Sequence, residues 1–254
     1  MSEEVLVERR GAVLLITLNR PEARNAVNTA VSQGVAAAID QLDDDPTLAV
    51  GVITGAGGSF CSGMDLKGFL TGENPIHELR GFGGITQVPA RKPVIAAVEG
   101  WALAGGCEIA LACSMIVAAN DAKFGIPEVK RGLVAGAGGL IRMPNRIPLN
   151  IALEMALTGD PLTAERAAHF GLVNRLTEPG GALEGALELA GAIAANGPLA
   201  LTATKTIMEK ALDWSFDEAF EKQAEYFLPV FASEDAKEGA RAFAEKRPPV
   251  WQGK

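Results

Sequence analysis

The sequence has few of the residues that bind metals or form disulfides. It contains two histidines, His77 and His169, and three cysteines, Cys61, Cys107 and Cys113. The cysteines are odd in number and lack CxxC spacing, which predicts reduced thiols in a cytoplasmic protein rather than a disulfide framework. Because so few nitrogen and sulfur ligands are present, we predict no metal site.

A basic surface and a membrane segment are also missing. The 23 Lys and Arg residues against 31 Asp and Glu residues give a net charge of −8, and no basic cluster with interleaved aromatics occurs. This argues against a nucleic-acid partner. Residues 1–5 are acidic and lack the apolar core of a signal peptide, and the apolar run at 94–98 is too short to span a membrane. We therefore expect a soluble, cytoplasmic protein with no membrane partner.

Common nucleotide and nucleophile motifs are absent as well. Neither GxSxG nor GxxxxGK[ST] occurs. Residues 52–57 resemble a strand that enters the GxG turn of a dinucleotide-binding oxidoreductase. Phe60, however, stands where the third glycine of GxGxxG belongs, and no strand with a terminal acidic residue follows at the expected interval. The pattern therefore argues against this class of enzyme.

The most informative stretch is glycine-dense and covers residues 101–108. An apolar run at 93–98 leads into it, and a helix-like segment leaves it at Glu108. Glycine lets a ligand approach the backbone, and a helix N-terminus favours an anion, so the amides here can form an oxyanion hole. A second glutamate, Glu128, follows a Phe-Gly-x-Pro turn and would complete an acid/base pair. The alternative is a glycine-rich turn with two surface glutamates.

Strand, glycine and helix-start segments follow one another through the first part of the chain, and helical patterns dominate after residue 150. These patterns predict an α/β fold with a spiral-like core over residues 1–195 and a helical part over 196–254. The main predicted elements are an edge hairpin at 5–9 and 12–18, a helix at 27–42, strands at 49–54, 115–119, 122–125 and 171–176, an irregular segment at 67–90, and helices at 182–195, 198–212, 216–231 and 234–245.

Several short motifs occur in a fixed order along the chain. They are Asn-Arg-Pro at 19–21 with Asn-Ala at 25–26, Ile-Thr-Gly at 53–55, Phe-Cys-Ser-Gly-Met-Asp-Leu at 60–66, Lys-Pro-Val-Ile-Ala-Ala-Val-Glu-Gly at 92–100, Gly-Gly-Cys-Glu at 105–108 and Phe-Gly-Ile-Pro-Glu at 124–128. Together they resemble the crotonase (enoyl-CoA hydratase/isomerase) superfamily, from the hairpin to residues 243–248. The resemblance implies a ββα spiral core whose helical C-terminal part is used in trimerisation, and assembly as a homotrimer or homohexamer. It also implies an acyl-CoA thioester substrate and no separate cofactor, since coenzyme A is part of the substrate.

The resemblance also assigns the catalytic groups. The backbone N–H groups of Met64 and Gly105 are expected to hold the thioester oxygen. Glu108 and Glu128 match the two catalytic glutamates of the hydratases in the superfamily, and the amide of Gly136 matches a position that helps to hold the water molecule.

Coenzyme A carries several negative charges, so a chain of net charge −8 is expected to place cations near it. Arg24 matches a basic position of the family, and Lys67 is a further local candidate. The family pattern places the adenine against the backbone of Ser62, Met64 and Leu66.

The chain also departs from the family pattern. The central glycine run, often one residue longer, begins here with Ala104, and Ala135 replaces the usual proline before Gly136. Leu140 and Ile141 replace a common Thr-Gln pair. None of these changes removes a predicted catalytic group, but they leave the acyl specificity open.

Three functions fit these observations. A hydratase uses both carboxyl groups and adds water, whereas an enoyl-CoA isomerase shuttles a proton with one carboxylate. A non-catalytic acyl-CoA binder has little reason to place two glutamates beside a polyanionic ligand. The carboxylate pair therefore favours the hydratase.

Overall fold

A computed structural model describes residues 4–254; the predicted acidic start at residues 1–3 lies outside the described part. The strands are β1 (Val5–Arg10), β2 (Val13–Leu18), β3 (Val50–Gly55), β4 (Ile76–His77), β5 (Gly81–Phe82), β6 (Val94–Val98), β7 (Trp101–Leu103), β8 (Met115–Ala119), β9 (Lys123–Gly125), β10 (Leu162–Thr163) and β11 (Arg175–Thr177). The helices are α1 (Thr29–Asp44), α2 (Leu66–Leu70), α3 (Gly105–Ala112), α4 (Gly139–Arg142), α5 (Leu149–Thr158), α6 (Ala164–His169), α7 (Ala182–Ala194), α8 (Pro198–Lys210), α9 (Phe216–Phe231) and α10 (Glu234–Glu245).

The main sheet has six strands in the order β1-β2-β3-β6-β8-β11. Only the first pair is antiparallel, and every other pair is parallel. The central strands β3 and β6 are buried along almost their whole length, as expected for parallel strands that are covered on both faces. Val52 and Ile95 pack with Ala186 of α7 on one face, whereas Ile53 packs in the larger core with Val35 of α1 on the other.

A second sheet, in the order β10-β9-β7, contributes Leu162, Phe124 and Ala102 to the larger core. The apolar run at 93–98 does form a strand, β6, but β6 does not lead directly into helix α3. Gly100 turns the chain with φ +55°, and β7 then pairs in parallel with β9 before α3 begins. The segment before Glu108 and the segment before Glu128 are therefore neighbouring strands.

Most of the predicted elements are confirmed, with shifted ends. Helix α1 begins at Thr29 because the Asn28 side chain caps it, accepting a hydrogen bond from the N–H of Val31 at 2.9 Å. The strand predicted at 171–176 is wrong over its first part: the N–H of Leu172 donates to the carbonyl of Ala167 at 2.9 Å. These residues therefore end the turn that follows α6, and only Arg175–Thr177 joins the sheet.

The C-terminal helices α8 to α10 follow α7, which packs on the main sheet. The Trp251 indole N–H donates to the carbonyl of Ala195 at 2.8 Å, so the chain end returns to the junction between α7 and α8. The division into residues 1–195 and 196–254 stays a prediction. Within residues 4–254 no single helix is long and apolar enough to cross a membrane; the pair Ala182–Ala194 and Pro198–Asp213 qualifies only when joined across a bend of 108°.

Asn25 joins two of the motif-bearing loops from a fully buried position. Its amide nitrogen donates to the carbonyls of Ala56 and Ser59 at 2.9 and 2.7 Å, and its amide oxygen accepts from the N–H of Arg20 at 2.9 Å. Its φ of +56° is a conformation that Asn adopts more readily than most residues. The side chain therefore links the loop before α1 to the loop after β3.

Replacing Asn25 with Asp keeps the shape but turns a double donor into a carboxylate that faces two carbonyls. We expect a loss of about 2–4 kcal/mol in the free energy of unfolding, because buried carbonyls lose their partners. Denaturant unfolding measures this loss. Asn74→Asp is the matched control: the side-chain oxygen of the exposed Asn74 accepts one hydrogen bond from the N–H of Ile76 at 3.1 Å, which Asp can also accept, so this change should alter stability by less than about 0.5 kcal/mol. Equal losses in the two variants would contradict the role given to Asn25.

Candidate active site

The site is built where the loop at 60–65 runs beside β7. Cys61 and Ala102 form a parallel bridge. The N–H of Cys61 donates to the carbonyl of Trp101 at 2.9 Å, and the N–H of Leu103 donates to the carbonyl of Cys61 at 3.0 Å. These bonds bring Met64 alongside Gly105, the first residue of α3.

The two backbones approach so closely that side chains do not fit between them. Gly63 has φ +97°, and a Cβ there would lie 2.8 Å from the Cβ of Ala104 and 3.2 Å from the nitrogen of Gly105. A Cβ on Gly105 would lie 2.3 Å from the ring of Phe82. Both glycines are therefore required by packing as well as by chemistry.

In the part of the chain that the structure describes, residues 4–254, the backbone N–H groups of Met64 and Gly105 donate to no acceptor, so both are available to a ligand. Met64 also bridges to Val27, but the bridge uses the carbonyl of Gly63 and the N–H of Asp65, at 2.8 and 2.9 Å, and not the N–H of Met64. Gly105 opens α3, so its N–H has no intrahelical partner. The structure thus brings together the two predicted donors, beside the positive end of a helix dipole.

A cavity of about 850 Å³ opens beside these amides. Met64, Gly105, Glu108, Glu128 and Gly136 all line it, so the five residues predicted for catalysis share one space. Much of the remaining wall is apolar and includes Phe82, Leu103 and Ile141. An acyl chain could therefore lie in the same cavity as the two carboxyl groups.

Glu108 is only 3 % exposed and lies in the first turn of α3. Its Oε1 accepts hydrogen bonds from the N–H groups of Ala137 at 2.8 Å and Gly139 at 2.9 Å. Burial raises the pKa of Glu108, the two N–H bonds oppose that shift, and the nearby charge of Glu128 adds to it. The carboxyl group is thus buried but held in one orientation.

The sequence did not reveal Ala137 and Gly139 as partners of Glu108. Gly136, the predicted water-holding position, lines the cavity, and its role stays a prediction. Gly138 turns the chain with φ +92°, and a Cβ on Gly139 would lie 2.9 Å from Cγ of Glu108. The glycine run indicated that another group approaches the backbone of this turn closely. The structure is needed to show that the N–H groups of Ala137 and Gly139 reach the Glu108 carboxylate.

Glu128 begins a 3₁₀ turn directly after β9 and Pro127. Its side chain is half-buried, and its Oε2 is buried without a hydrogen-bond partner among residues 4–254. Burial raises the pKa of Glu128, and a hydrogen bond from its own backbone N–H and the charge of Arg131 partly offset the shift. Glu128 therefore carries an unsatisfied oxygen in the cavity wall, where a reactant proton or water could pair with it.

The predicted coenzyme A positions divide into two groups. Ser62, Met64 and Leu66 line the cavity, whereas Arg24 and Lys67 are exposed and outside its wall. The carbonyl of Arg24 accepts from the N–H of Ser62 at 3.1 Å, so this arginine stands next to the cavity segment. Lys67 directly follows the lining residue Leu66 in the chain, and the contact of both cations with coenzyme A stays a prediction.

Arg142 is a further residue of the site for which sequence reasoning proposed no role. Its guanidinium lines the cavity and donates to the carbonyls of Thr86 at 2.6 Å and Ala137 at 3.5 Å. It therefore ties the turn that supplies the Glu108 donors to the opposite wall. The position of Arg142 just after the glycine run indicated that it lies near the site. Its contact with Thr86 could not be predicted, because Thr86 is remote in sequence.

The cysteines contribute no nucleophile. All three are free and buried, and burial raises the pKa of the Cys61 and Cys113 thiols to about 12. They therefore stay protonated at neutral pH. Over the described range, 4–254, no group of three His, Cys, Asp or Glu side chains is placed to hold a metal ion.

Comparison with known proteins agrees with this geometry. The family described as enoyl-CoA hydratase/isomerase matches residues 8–254. The chain is 43 % identical to enoyl-CoA hydratase EchA19 of Mycobacterium tuberculosis, covering 99 % of this chain and 97 % of that protein, and 42 % identical to a carnitinyl-CoA dehydratase of Salmonella arizonae over the full length of both.

Among solved structures, an enoyl-CoA hydratase from Mycobacterium tuberculosis H37Rv matches with a TM-score of 0.98 at 61 % identity, and a probable enoyl-CoA hydratase/isomerase from Mycobacterium abscessus matches with 0.97 at 64 %. Both alignments cover 100 % of each chain. The crotonase-type fold, with a mostly parallel sheet and C-terminal helices, is thus confirmed, and the chain belongs to the enoyl-CoA hydratase/isomerase family.

Proposed function

We propose that this chain adds water across the C2–C3 double bond of a trans-2-enoyl-CoA to give a 3-hydroxyacyl-CoA. One observation carries the proposal: two carboxyl groups with raised pKa values line the cavity that also holds the amides of Met64 and Gly105. The relatives named hydratase and dehydratase support it, because hydration and dehydration are one reaction in two directions.

In the proposed mechanism the thioester oxygen accepts hydrogen bonds from the N–H groups of Met64 and Gly105. Polarisation of the carbonyl makes C3 electrophilic, and water adds there while negative charge moves to the thioester oxygen. The two amides stabilise that enolate-like charge more than they stabilise the ground state, and so they lower the barrier. Protonation at C2 completes the addition, and no separate cofactor is needed.

The contacts of the two glutamates suggest different roles. Two N–H groups donate to Glu108, and donors stabilise the ionised form, so we assign Glu108 as the base that takes a proton from water. Among residues 4–254 the buried Oε2 of Glu128 has no hydrogen-bond partner, an environment that favours the protonated form. We therefore assign Glu128 as the acid that supplies the proton to C2, with Gly136 helping to hold the water.

For the substrate we propose that coenzyme A runs along Ser62, Met64 and Leu66, with Arg24 and Lys67 near its phosphates. The names of the relatives suggest two classes of acyl group, a simple enoyl chain and a carnitinyl-type chain. Comparing kcat/KM across short, medium, branched and carnitinyl-type enoyl-CoAs tests this choice. Equal values for all of them would contradict any acyl selectivity.

An isomerase is the nearest alternative, because it uses the same oxyanion hole. It needs one carboxylate, whereas this cavity contains two, and the second would have no function in a simple proton shuttle. A pure acyl-CoA binder fits less well, since buried carboxylates beside a polyanion weaken binding.

We also propose a homotrimer or homohexamer, as the family resemblance implies. The C-terminal helices support this, because large aromatic side chains on α9 and α10 are exposed in the single chain: Phe216 is 81 %, Phe231 78 % and Phe243 87 % exposed. Light scattering at micromolar concentration tests the assembly, and a monomeric mass would contradict it.

Separate Glu108→Gln and Glu128→Gln variants keep size and shape but remove one titrating group each. We expect either change to lower kcat for crotonyl-CoA hydration by about 10²–10⁴-fold, since each removes one proton-transfer group. Steady-state hydration assays measure this loss. If either variant retained more than a third of the wild-type rate, the two-carboxylate mechanism would be wrong.

The raised pKa of Glu128 also predicts a pH-dependent stability difference. Burial disfavours the carboxylate, so the stability linked to this group is fully present below its ordinary pKa of 4.5 and is lost as pH rises through the raised value. Glu128→Gln cannot ionise. The difference in thermal unfolding midpoint, variant minus wild type, should therefore be larger at pH 8 than at pH 5.

The control is Glu154, a glutamate whose pKa is shifted in the opposite direction. The Arg166 guanidinium lowers the pKa of the exposed Glu154 carboxyl, so Glu154→Gln should gain nothing at pH 8. Midpoints of thermal unfolding at the two pH values measure both differences. A pH-independent effect of Glu128→Gln would contradict the raised pKa.

A further inference from the structure

Ala104 adopts a backbone conformation that belongs to glycine. Its dihedral angles are φ +51° and ψ −129°, directly before α3. Arg24 and Lys246 also have positive φ, but with ψ values of +40° and +39° they lie in the ordinary left-handed region. A residue with a Cβ persists at the Ala104 angles only where its surroundings hold it there, and such strain tends to occur at functional sites.

Each group of Ala104 contacts a different part of the site. Its N–H donates to the carbonyl of Gly125 at 2.8 Å, in the strand that leads to Glu128. Its carbonyl accepts from the N–H of Glu108 at 3.1 Å. Its methyl group lies 2.8 Å from the point where a Cβ on Gly63 would be, just before Met64 in the chain. Ala104 therefore contacts the strand that precedes Glu128, the backbone of Glu108 and the residue before Met64, and it directly precedes Gly105 in the chain.

The peptide that links Ala104 to Gly105 sets the direction of one donor. Its carbonyl and the N–H of Gly105 lie in one plane and point in opposite directions, because the peptide is trans. The carbonyl points along α3 toward the N–H of Glu108, so the N–H of Gly105 points away from the helix, on the side of the cavity.

We propose that Ala104 is a positioning residue for the thioester site. Its methyl group packs against Gly63 and holds the N–H groups of Met64 and Gly105 at a fixed spacing, while its backbone carries the strain. A glycine at this position relieves the strain but removes the contact that couples the two donors. The inference rests on the proposed function, because it assigns Ala104 to the oxyanion hole of that reaction.

The test is Ala104→Gly in the full-length protein. The thermal unfolding midpoint should rise by about 2–4 °C, since relief of roughly 1 kcal/mol of strain shifts a domain of this size by that amount. The kcat for hydration should nevertheless fall by about 5- to 50-fold, with KM changed by less than about twofold. This loss is smaller than the roughly 10²–10³-fold loss that follows removal of a whole oxyanion-hole donor.

Two matched variants separate positioning from general structural effects. Ala104→Ser keeps a Cβ and should retain kcat within about twofold without a gain in midpoint. Lys246→Gly relieves a left-handed conformation at the end of α10, and Lys246 does not line the cavity, so this variant should raise the midpoint with kcat unchanged. An Ala104→Gly variant with unchanged or higher kcat, or with a lower midpoint, would overturn the proposal.

A second readout does not depend on turnover. The infrared C=O band of a bound saturated acyl-CoA reports the polarisation of its thioester, and in Ala104→Gly it should move back toward the frequency of free acyl-CoA. An unchanged band would overturn the positioning role. If the wild type polarised the thioester without hydrating any enoyl-CoA, the hydratase proposal would fail while the inference on Ala104 would stand.

Discussion

The close approach of two backbone segments, residues 61–65 and 102–106, is the constraint on which the rest of the site depends. The parallel bridge between Cys61 and Ala102 holds the segments in register, and Gly63 and Gly106 leave no side chain between them at the contact. The amides of Met64 and Gly105 can face one ligand oxygen only because of this approach. A Cβ on Gly63 would lie 2.8 Å from the Cβ of Ala104, and a Cβ on Gly106 would lie 2.2 Å from the carbonyl oxygen of Cys61, so a side chain at either position would push the two segments apart.

The carboxyl groups depend on the same arrangement. Pairing of β7 with β9 places the strand that leads into α3 beside the strand that leads to the 3₁₀ turn at Glu128. Both glutamates therefore enter the cavity from segments that follow neighbouring strands. The turn at 136–139 then closes over Glu108 and donates two N–H bonds to it. Burial raises the pKa of both carboxyl groups, but only Glu108 receives donors from that turn, and this difference is the basis for separating acid from base.

Much of the site could be predicted from sequence because its parts are local. The two donors and the carboxyl pair were predicted from the glycine runs at strand ends, the two glutamates and the order of the family motifs. The structure places all four groups at one cavity. Contacts between distant segments could not be predicted, since they depend on the register of strands. The insertion of β7 between β6 and α3, the donors Ala137 and Gly139, and the Thr86 contact of Arg142 are of this kind. Ala104 was visible only as a departure from the family pattern, and its strain became apparent from the dihedral angles.

The central claim is that water is the second reactant at the paired carboxyl groups. Its most direct test is turnover of crotonyl-CoA by the wild-type protein in H₂¹⁸O, with mass analysis of the product. The account predicts one ¹⁸O atom in the C3 hydroxyl group of 3-hydroxybutyryl-CoA. Migration of the double bond without ¹⁸O uptake, in this or a longer enoyl-CoA, would contradict hydration and support the isomerase.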